Sequence, residues 1–227
     1  MRKIILVIAS LILLLSSCSV TKSLTKQEAY KSIYEQKPVS ILIMPPINRS
    51  TAVEAKAYFY TTLNTTIANH GYYVFPPMLT MEFLKRESAY DSELFIEKDL
   101  KKFRDYFDTD LALFTIIHKW DKSSFNSTVK VEVEYIMRST LSSEVVFRRR
   151  GLITVDTSVA VNGGGAFGAL ASLALSAIKT ATTKYVDVAR KCNVYSLNPL
   201  PYGKFHNSYH LDKLQKTGKE EFKIMLK

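Results

Sequence analysis

Two apolar runs, each ended by a pair of prolines, flank one amphipathic stretch, and this pattern constrains the fold most. Residues 39–44 precede Pro45 and Pro46, and the run 72–75 precedes the second proline pair. A short continuous apolar run is typical of a buried strand, and proline ends it because proline has no backbone N–H to donate. Since a helical pattern lies between the runs, the sequence predicts a strand–helix–strand unit.

The stretch between the two runs begins with Thr51 and Glu54 at the spacing of a capping box. In that motif the threonine hydroxyl accepts from the third helical amide, and the glutamate reaches back to the cap amide. We expect the helix to continue to about Asn69, because Gly71 is a usual helix stop. Apolar residues at helical spacing predict one buried face, formed by Val53, Ala57, Tyr60, Leu63 and Ile67.

The middle of the chain predicts further helices and an antiparallel hairpin. Residues 78–87 and 91–107 have helical patterns, and the apolar run 111–118 predicts a third buried strand. Valines alternate with charged residues over 129–135, which indicates a strand with one wet face. A second strand over 145–156 completes the hairpin. The predicted fold class is α+β, an αβ sandwich in which helices pack on a mixed sheet.

An alanine-rich stretch over 166–190 follows three consecutive glycines and predicts a helix. Its apolar part, 166–178, is too short to span a bilayer, which takes about 20 residues. We expect this helix to pack on the sheet, and the alternative is a helix that lies on a membrane or faces a partner. The chain from Asn198 onward is expected to be irregular, because prolines and a glycine interrupt it.

The first 18 residues carry the features of a bacterial secretion signal. Two basic residues precede an apolar run over 4–15, and Leu-Ser-Ser-Cys closes it at Cys18. A basic start, an apolar core and small residues before the cut form a signal peptide, and the run is too short for a transmembrane anchor. A cysteine at this position is the lipid-attachment residue of bacterial prolipoproteins, so Cys18 decides against a plain cleaved signal. Ser19, where an inner-membrane protein often has Asp, favours the outer membrane.

These features predict the organisation of the chain. We expect a signal peptide over 1–17, a lipidated tether over 18–37, an α+β periplasmic domain over 38–205 and a basic C-terminal tail over 206–227. A hydrophobic fraction of 47% and an aromatic fraction of 11% are sufficient to build a core. The formal net charge of +10 suits an anionic lipid or an acidic partner, and the predicted location excludes nucleic acid. With Cys18 lipidated, Cys192 has no partner for an intramolecular disulfide.

No motif in the chain predicts catalysis, a metal site or a cofactor. Gly163, Gly165 and Gly168 match the dinucleotide-binding pattern, but no acidic strand end follows them at the required distance. His206 and His210 have helical spacing, but no carboxylate motif accompanies them. We therefore expect a non-enzymatic protein without a resident cofactor.

Three segments carry a resemblance to a known family. They are residues 40–50 (SILIMPPINRS), residues 71–76 (GYYVFP) and residues 110–117 (DLALFTII) with Trp120. Together with the lipobox and the glycine-then-alanine stretch, they resemble the GNA-type bacterial lipoproteins, a family catalogued as domain of unknown function seven-nine-nine. The resemblance covers residues 38–205. It departs from the family pattern at residues 108–110, where Asp-Thr-Asp replaces an expected glycine-alanine approach.

The resemblance implies a domain related to the periplasmic domain of CsgG and to the amino-terminal domain of TolB. It implies a part in an envelope assembly or secretion complex with a CsgG-like lipoprotein, and it brings no catalytic residues. We expect an outer-membrane lipoprotein, anchored through acyl chains such as palmitate and able to form a homo-oligomer. A ligand-binding or surface antigenic lipoprotein is the alternative. The expected partner contacts are Pro45, Pro46, Asn48, Ala169 and Ala171.

Overall fold

The computed structural model describes residues 23–86, 91–123, 125, 127–157 and 181–227, with side chains from 185 onward in the last range. Cys18, Ala169 and Ala171 lie outside these residues, as do the glycine pattern and the apolar part of the predicted alanine-rich helix. The predictions for the signal peptide and the lipid attachment therefore stay predictions.

A seven-stranded mixed sheet organises the described residues, with the strand order β3-β1-β4-β5-β6-β7 and with β2 paired to β4. The strands are β1 (Ser40–Ile43), β2 (Ile47–Asn48), β3 (Tyr73–Val74), β4 (Leu111–Ser123), β5 (Thr128–Ser139), β6 (Val145–Asp156) and β7 (Glu221–Leu226). The helices are α1 (Lys26–Ala29), α2 (Lys31–Gln36), α3 (Ala55–Asn69), α4 (Pro77–Arg86), α5 (Lys101–Phe107) and α6 (Ala181–Leu197), with a short 3₁₀ helix at Ser92–Phe95. The α+β class with helices packed on a mixed sheet is confirmed.

The strand–helix–strand unit is confirmed. β1 pairs in parallel with β3 through Ser40 and Tyr73, and α3 forms the crossover between them. Pro77 begins α4, where its missing N–H is harmless because the first helical amides have no intrahelical acceptor. Gly71 has a φ of +81°, and an added Cβ there would lie 2.4 Å from the His206 backbone nitrogen, so this helix exit requires glycine.

The predicted start of α3 is wrong. The helix begins at Ala55, and no side chain caps its amino terminus. Asn48 shapes the approach instead, because its side-chain amide donates to the Ala52 carbonyl oxygen at 2.7 Å and its Oδ1 accepts from the Ser50 amide at 3.1 Å. Tyr60, Leu63 and Ile67 are buried as predicted, whereas Ala57 is exposed and Val53 is 83% exposed. The other buried residues of the helix are Ala55, Phe59, Thr62 and Thr66.

Two apolar layers lie on opposite faces of the sheet. Helices α3 and α6 cover the larger core, whose big side chains include Phe59, Tyr135 and Phe147. A smaller core on the other face buries Leu84 and Leu100 against β1 and β4. Full burial of one such leucine stabilises the fold by about 1.5–3 kcal/mol. Among the described residues, this smaller core includes none from β6 or β7.

The predicted helix over 91–107 is divided by a buried arginine. Arg138 of β5 donates through Nη1 to the carbonyl oxygens of Ile96 at 2.6 Å and Lys98 at 2.8 Å. The Leu100 amide donates to Ser143 Oγ rather than to a helical carbonyl. Because these side chains replace the backbone bonds that a continuous helix needs, only the 3₁₀ helix and α5 form.

The predicted antiparallel hairpin is confirmed, since β5 pairs with β6 over almost their full lengths. β4 is longer than predicted and also pairs antiparallel with β5, with a register shift between Ile117 and Lys119. The wet face predicted for β5 is only partly wet, because Glu134 is buried.

The predicted tether and tail fold into the domain. α1 and α2 bury Ile33 and Tyr34, and β7 pairs in parallel with β6. Lys26 Nζ lies 3.1 Å from Asp212 Oδ2, and the two side chains are 4% and 0% exposed. The domain boundary at 38 and 205 is therefore corrected to include at least residues 25–36 and 206–226. The predicted end of the last helix at 190 is also wrong, because α6 continues to Leu197.

Candidate functional site

The proline loop that we predicted as a partner contact is mostly inside the molecule. Pro45 and Pro46 are buried, and the Pro45 carbonyl oxygen accepts from Ser92 Oγ at 2.6 Å. The prolines interrupt the pairing with β4, which resumes where Ile47 pairs with Ile116. Asn48 is half-buried, and its amide is used within the loop. The prolines therefore expose little surface to a partner.

A charge cluster around the buried carboxylate of Glu134 lies on the sheet face opposite α3 and α6. His118 Nε2 is 2.9 Å from Glu134 Oε2, and Arg148 Nε donates to Glu134 Oε1 at 2.8 Å. Burial acts to raise the pKa of Glu134, but the hydrogen bonds from His118 and Arg148 together outweigh it, so the pKa lies below its usual value. The ionised Glu134 carboxylate on β5 therefore links His118 on β4 to Arg148 on β6. It is poorly suited to accept a proton in catalysis.

The remaining histidines pack against rings. The imidazole of His206 stacks on Tyr202 with centroids 3.7 Å apart, and His210 lies 5.9 Å from the Tyr34 ring. Among the described residues, no group of three or more His, Cys, Asp and Glu side chains is placed to hold a metal ion. Burial raises the pKa of the Cys192 thiol, which keeps it protonated and unreactive.

A small cationic cavity of about 210 Å³ lies between α1, the end of α6 and the segment before β7. Its lining includes Lys26, Arg149 and Lys216, and no described carboxylate lines it. Arg149 donates through Nη1 to the carbonyl oxygens of Tyr195 and Ser196, at 2.9 and 3.0 Å. Because these are the last carbonyls of α6, the guanidinium caps the negative end of that helix. The volume is below the roughly 300 Å³ at which pockets for drug-sized ligands begin.

An exposed aromatic surface lies at the other side of the sheet, around β3, α4 and α5. Its exposed members are Tyr73, Met78, Leu79 and Tyr106, and the half-buried rings of Phe75, Phe83 and Phe107 lie among them. Ring contacts run from Tyr73 to Phe75 at 5.2 Å and from Phe75 to Phe107 at 5.7 Å. They continue to Phe83 at 4.8 Å and to Tyr106 at 5.6 Å. Met78 and Leu79 are 85% and 70% exposed at the start of α4. Such contiguous apolar exposure marks interaction sites.

A second exposed apolar surface lies where the two ends of the described chain meet. The segment 24–27 runs beside 213–217, joined by bonds from the Lys26 amide to the Gln215 carbonyl and from the Thr217 amide to the Leu24 carbonyl. Sequence reasoning missed this surface because it predicted a tether or short helix for the first segment and an irregular tail for the second, and no contact between them. The spacing of Leu211, Lys213, Leu214 and Lys216 was the available signal.

Within the described ranges, no helix combines the length and the apolar character that a membrane crossing requires.

Comparison with known proteins gives one family. The profile of the GNA1162-like lipoprotein family matches residues 28–202. Lipoprotein NMB1124/NMB1162 of Neisseria meningitidis serogroup B (strain ATCC BAA-335 / MC58) is 25% identical over 203 residues, which cover 87% of this chain and 90% of that protein. The names of these relatives include no enzymatic activity.

Solved structures with a similar fold have lower sequence identity to this chain. The crystal structure of lipoprotein GNA1162 from Neisseria meningitidis has 21% identity and a TM-score of 0.48, covering 60% of this chain and 92% of that one. The PelC dodecamer from Paraburkholderia phytofirmans has 13% identity and a TM-score of 0.44, covering 72% and 90%.

Proposed function

The chain belongs to the GNA1162-like lipoprotein family, and from this membership we propose that it is a lipid-anchored, non-enzymatic component of a cell-envelope assembly or secretion complex. In this proposal Cys18 carries the lipid, the outer membrane holds the anchor and the domain lies in the periplasm. A CsgG-like lipoprotein is the proposed partner, in keeping with the resemblance of residues 40–50, 71–76 and 110–117.

The observation that carries the proposal is the aromatic surface. Tyr73 and Tyr106 are 51% and 63% exposed, yet both belong to one continuous set of ring contacts. Aromatic and methionine side chains are enriched in protein interfaces, because they bury much area at a small loss of conformational freedom. The short edge strand β3 lies at the same place, so a partner can reach both rings and backbone. Asn48, Ala169 and Ala171 stay proposed additional contacts.

Co-purification tests the proposal most simply. The full chain, tagged in its own host, is extracted with detergent, and its partners are identified after capture. We expect an envelope lipoprotein to co-purify with the unaltered chain and to be lost from a Met78→Ser, Leu79→Ser variant. Phe125→Ser is the matched control, because Phe125 is 98% exposed but lies in the turn between β4 and β5. Recovery of a lone monomer would contradict the proposal.

Lipid attachment is tested separately with radioactive palmitate. The unaltered chain is expected to incorporate the label and to sediment with the outer membrane. A Cys18→Ser variant is expected to lose both properties while its domain still folds, since the described core uses residues from 25 onward. Label incorporation that survives the substitution would contradict the assignment of Cys18.

The cationic cavity supports the alternative, a ligand-binding or surface antigenic lipoprotein, because a small anion fits its charge. Protease accessibility on intact cells separates the two functions. Cleavage of the domain at the cell surface would favour the alternative, and protection until the outer membrane is opened would favour the periplasmic complex.

A further inference from the structure

The junction of the two chain ends presents a distinct surface. It consists of Leu24, Leu211 and Leu214, which are 48%, 77% and 81% exposed, with Lys213 and Lys216 between them. We call it the leucine–lysine surface. Three exposed leucines around lysines have the chemistry of an interfacial membrane contact, where apolar side chains enter the headgroup region and cations remain at its level.

Buried hydrogen bonds of Asp212 support the turn that carries Leu211 and Leu214. Asp212 Oδ2 accepts from Lys26 Nζ at 3.1 Å and from the Tyr202 amide at 3.0 Å, and Asp212 Oδ1 accepts from the Tyr34 hydroxyl at 3.0 Å. This buried carboxylate lies between Leu211 and Lys213 in sequence and fixes the turn that carries them. The leucines are therefore held outward by the fold and are not side chains of a loose tail.

The charges on this surface favour an anionic occupant. Lys216 Nζ donates to the Ser23 carbonyl oxygen at 3.0 Å, and Lys213 Nζ lies 5.9 Å from the Tyr34 ring. Neither lysine is ion-paired with a carboxylate of the described ranges, and the exposed Glu28 carboxylate on α1 accepts from the Thr25 amide and hydroxyl. Asp212 is already neutralised by Lys26. A surface with unpaired cations is attracted to anionic headgroups within about a Debye length of the bilayer.

The proposed lipid anchor at Cys18 keeps the bilayer close to the leucine–lysine surface. The described chain starts at Ser23, on this surface, and Cys18 is five residues earlier. Five residues span at most about 18 Å when fully extended. An anchored domain must therefore keep this surface within about that distance of the lipid headgroups, whereas other surfaces can turn away.

We propose that the leucine–lysine surface docks the domain onto the anionic lipid bilayer to which Cys18 is attached. The proposal rests on the lipid anchor of the proposed function. It adds a defined orientation, in which α1 and the segment 211–216 face the bilayer. The turn between β4 and β5 then lies far from the membrane. Thr128, at the end of this turn, pairs with Asp156 of β6. Arg149, which lines the cavity together with Lys216, is seven residues earlier on β6, and seven residues of strand span about 23 Å.

Depth-dependent fluorescence quenching tests this orientation on the full, lipidated chain. The chain is reconstituted in vesicles of three parts phosphatidylethanolamine to one part phosphatidylglycerol that contain spin-labelled lipid. A polarity-sensitive dye is placed on Leu214→Cys or, as the control, on Phe125→Cys. Cys192 is buried and does not compete for the dye.

We expect the dye at position 214 to be quenched several-fold more strongly than the dye at position 125. Replacing phosphatidylglycerol by phosphatidylcholine is expected to weaken docking by about fivefold per lysine. Lys213→Glu with Lys216→Glu, which reverses both charges, is expected to weaken it further. The lipid exchange leaves the protein unaltered, so a folding defect cannot imitate its effect.

Three results would overturn the proposal. Equal quenching at both positions in a chain that floats with the vesicles would refute docking and leave the anchor standing. Self-quenching between dyes on position 214 without quenching by lipid would assign the surface to a second copy of the chain. A chain that fails to float with the vesicles would refute the anchor and the docking together.

Discussion

The two exposed apolar surfaces differ in what surrounds their hydrophobic side chains. The aromatic surface presents rings in mutual contact beside a sheet edge. The leucine–lysine surface presents separate leucines with lysines between them that pair with no carboxylate of the described ranges. Exposure alone does not identify a partner. Packed aromatics suit a shaped protein surface, whereas dispersed leucines and cations suit a fluid anionic layer.

The two surfaces also rest on different buried polar groups, which allows each to be disturbed alone. Asp212 supports the leucine–lysine surface, and Arg138 supports the segment 95–98 ahead of α5. We therefore expect a substitution at Asp212 or Arg138 to disturb the surface that it supports and to leave the other surface unchanged.

The largest expected effect is that of Asp212→Ala. It leaves the Lys26 ammonium buried without its carboxylate, which destabilises proteins by about 3–5 kcal/mol. We expect denaturant unfolding to show this loss, and hydrogen exchange to rise first in residues 24–36 and 206–217. Glu35→Gln is the control, because its pair with Lys31 is exposed and such pairs contribute at most about 1 kcal/mol. Equal exchange on the aromatic side would mean that the two surfaces are not independent.

Arg138→Met is expected to have the next largest effect. Removing the guanidinium breaks the half-buried bonds to the carbonyl oxygens of Ile96 and Lys98, at about 0.5–1.5 kcal/mol for each bond. Because this segment leads into α5, we expect partner capture by the aromatic surface to weaken while lipid quenching at position 214 is unchanged. Loss of both readouts would indicate global unfolding instead.

Glu134→Gln provides a calibration from outside both surfaces. The pKa of Glu134 in the folded chain is below its ordinary value of 4.5, so the cluster with His118 and Arg148 stabilises the fold above that pH. This stability is lost as the pH falls through the folded pKa. The variant should be less stable at neutral pH by about 1–3 kcal/mol, and its stability should fall less on acidification. An identical pH profile for variant and parent would contradict the role of the cluster.

Surface substitutions are expected to have the smallest effects on stability and the most selective effects on binding. Met78→Ser with Leu79→Ser, and separately Leu211→Ser with Leu214→Ser, should each change the unfolding free energy by no more than about 0.5 kcal/mol. The first pair should abolish partner capture only, and the second should reduce lipid quenching only. Swapped outcomes would reverse the two assignments.

Local patterns were sufficient to predict the middle of the sheet and its β3 edge. The proline-ended runs gave β1 and β3, and the alternation over 129–135 gave β5, because these signals lie within the element itself. Family membership was also predicted from sequence, and it is confirmed by the match over residues 28–202. The kinship with CsgG and TolB stays a prediction.

One local contact and several contacts between distant residues explain the errors. Asn48 bonds Ala52 and displaces the expected cap at Thr51, and Arg138 divides a helix that precedes it by about forty residues. Lys26 and Asp212 are 186 residues apart, so neither terminal segment alone indicates that it is folded. The strand β7 did have a signal, the alternation of Phe222, Ile224 and Leu226, which the surrounding lysines obscured.

Photo-crosslinking in living cells tests the distinction between the two surfaces most directly. A photoreactive amino acid is placed at Met78 or at Leu214 of the full chain, with Phe125 as the reference position, and adducts are resolved by mass. We expect position 78 to give a protein adduct with an envelope lipoprotein, and position 214 to give lipid adducts and no protein partner. A protein adduct at position 214 together with none at position 78 would contradict the assignment of both surfaces.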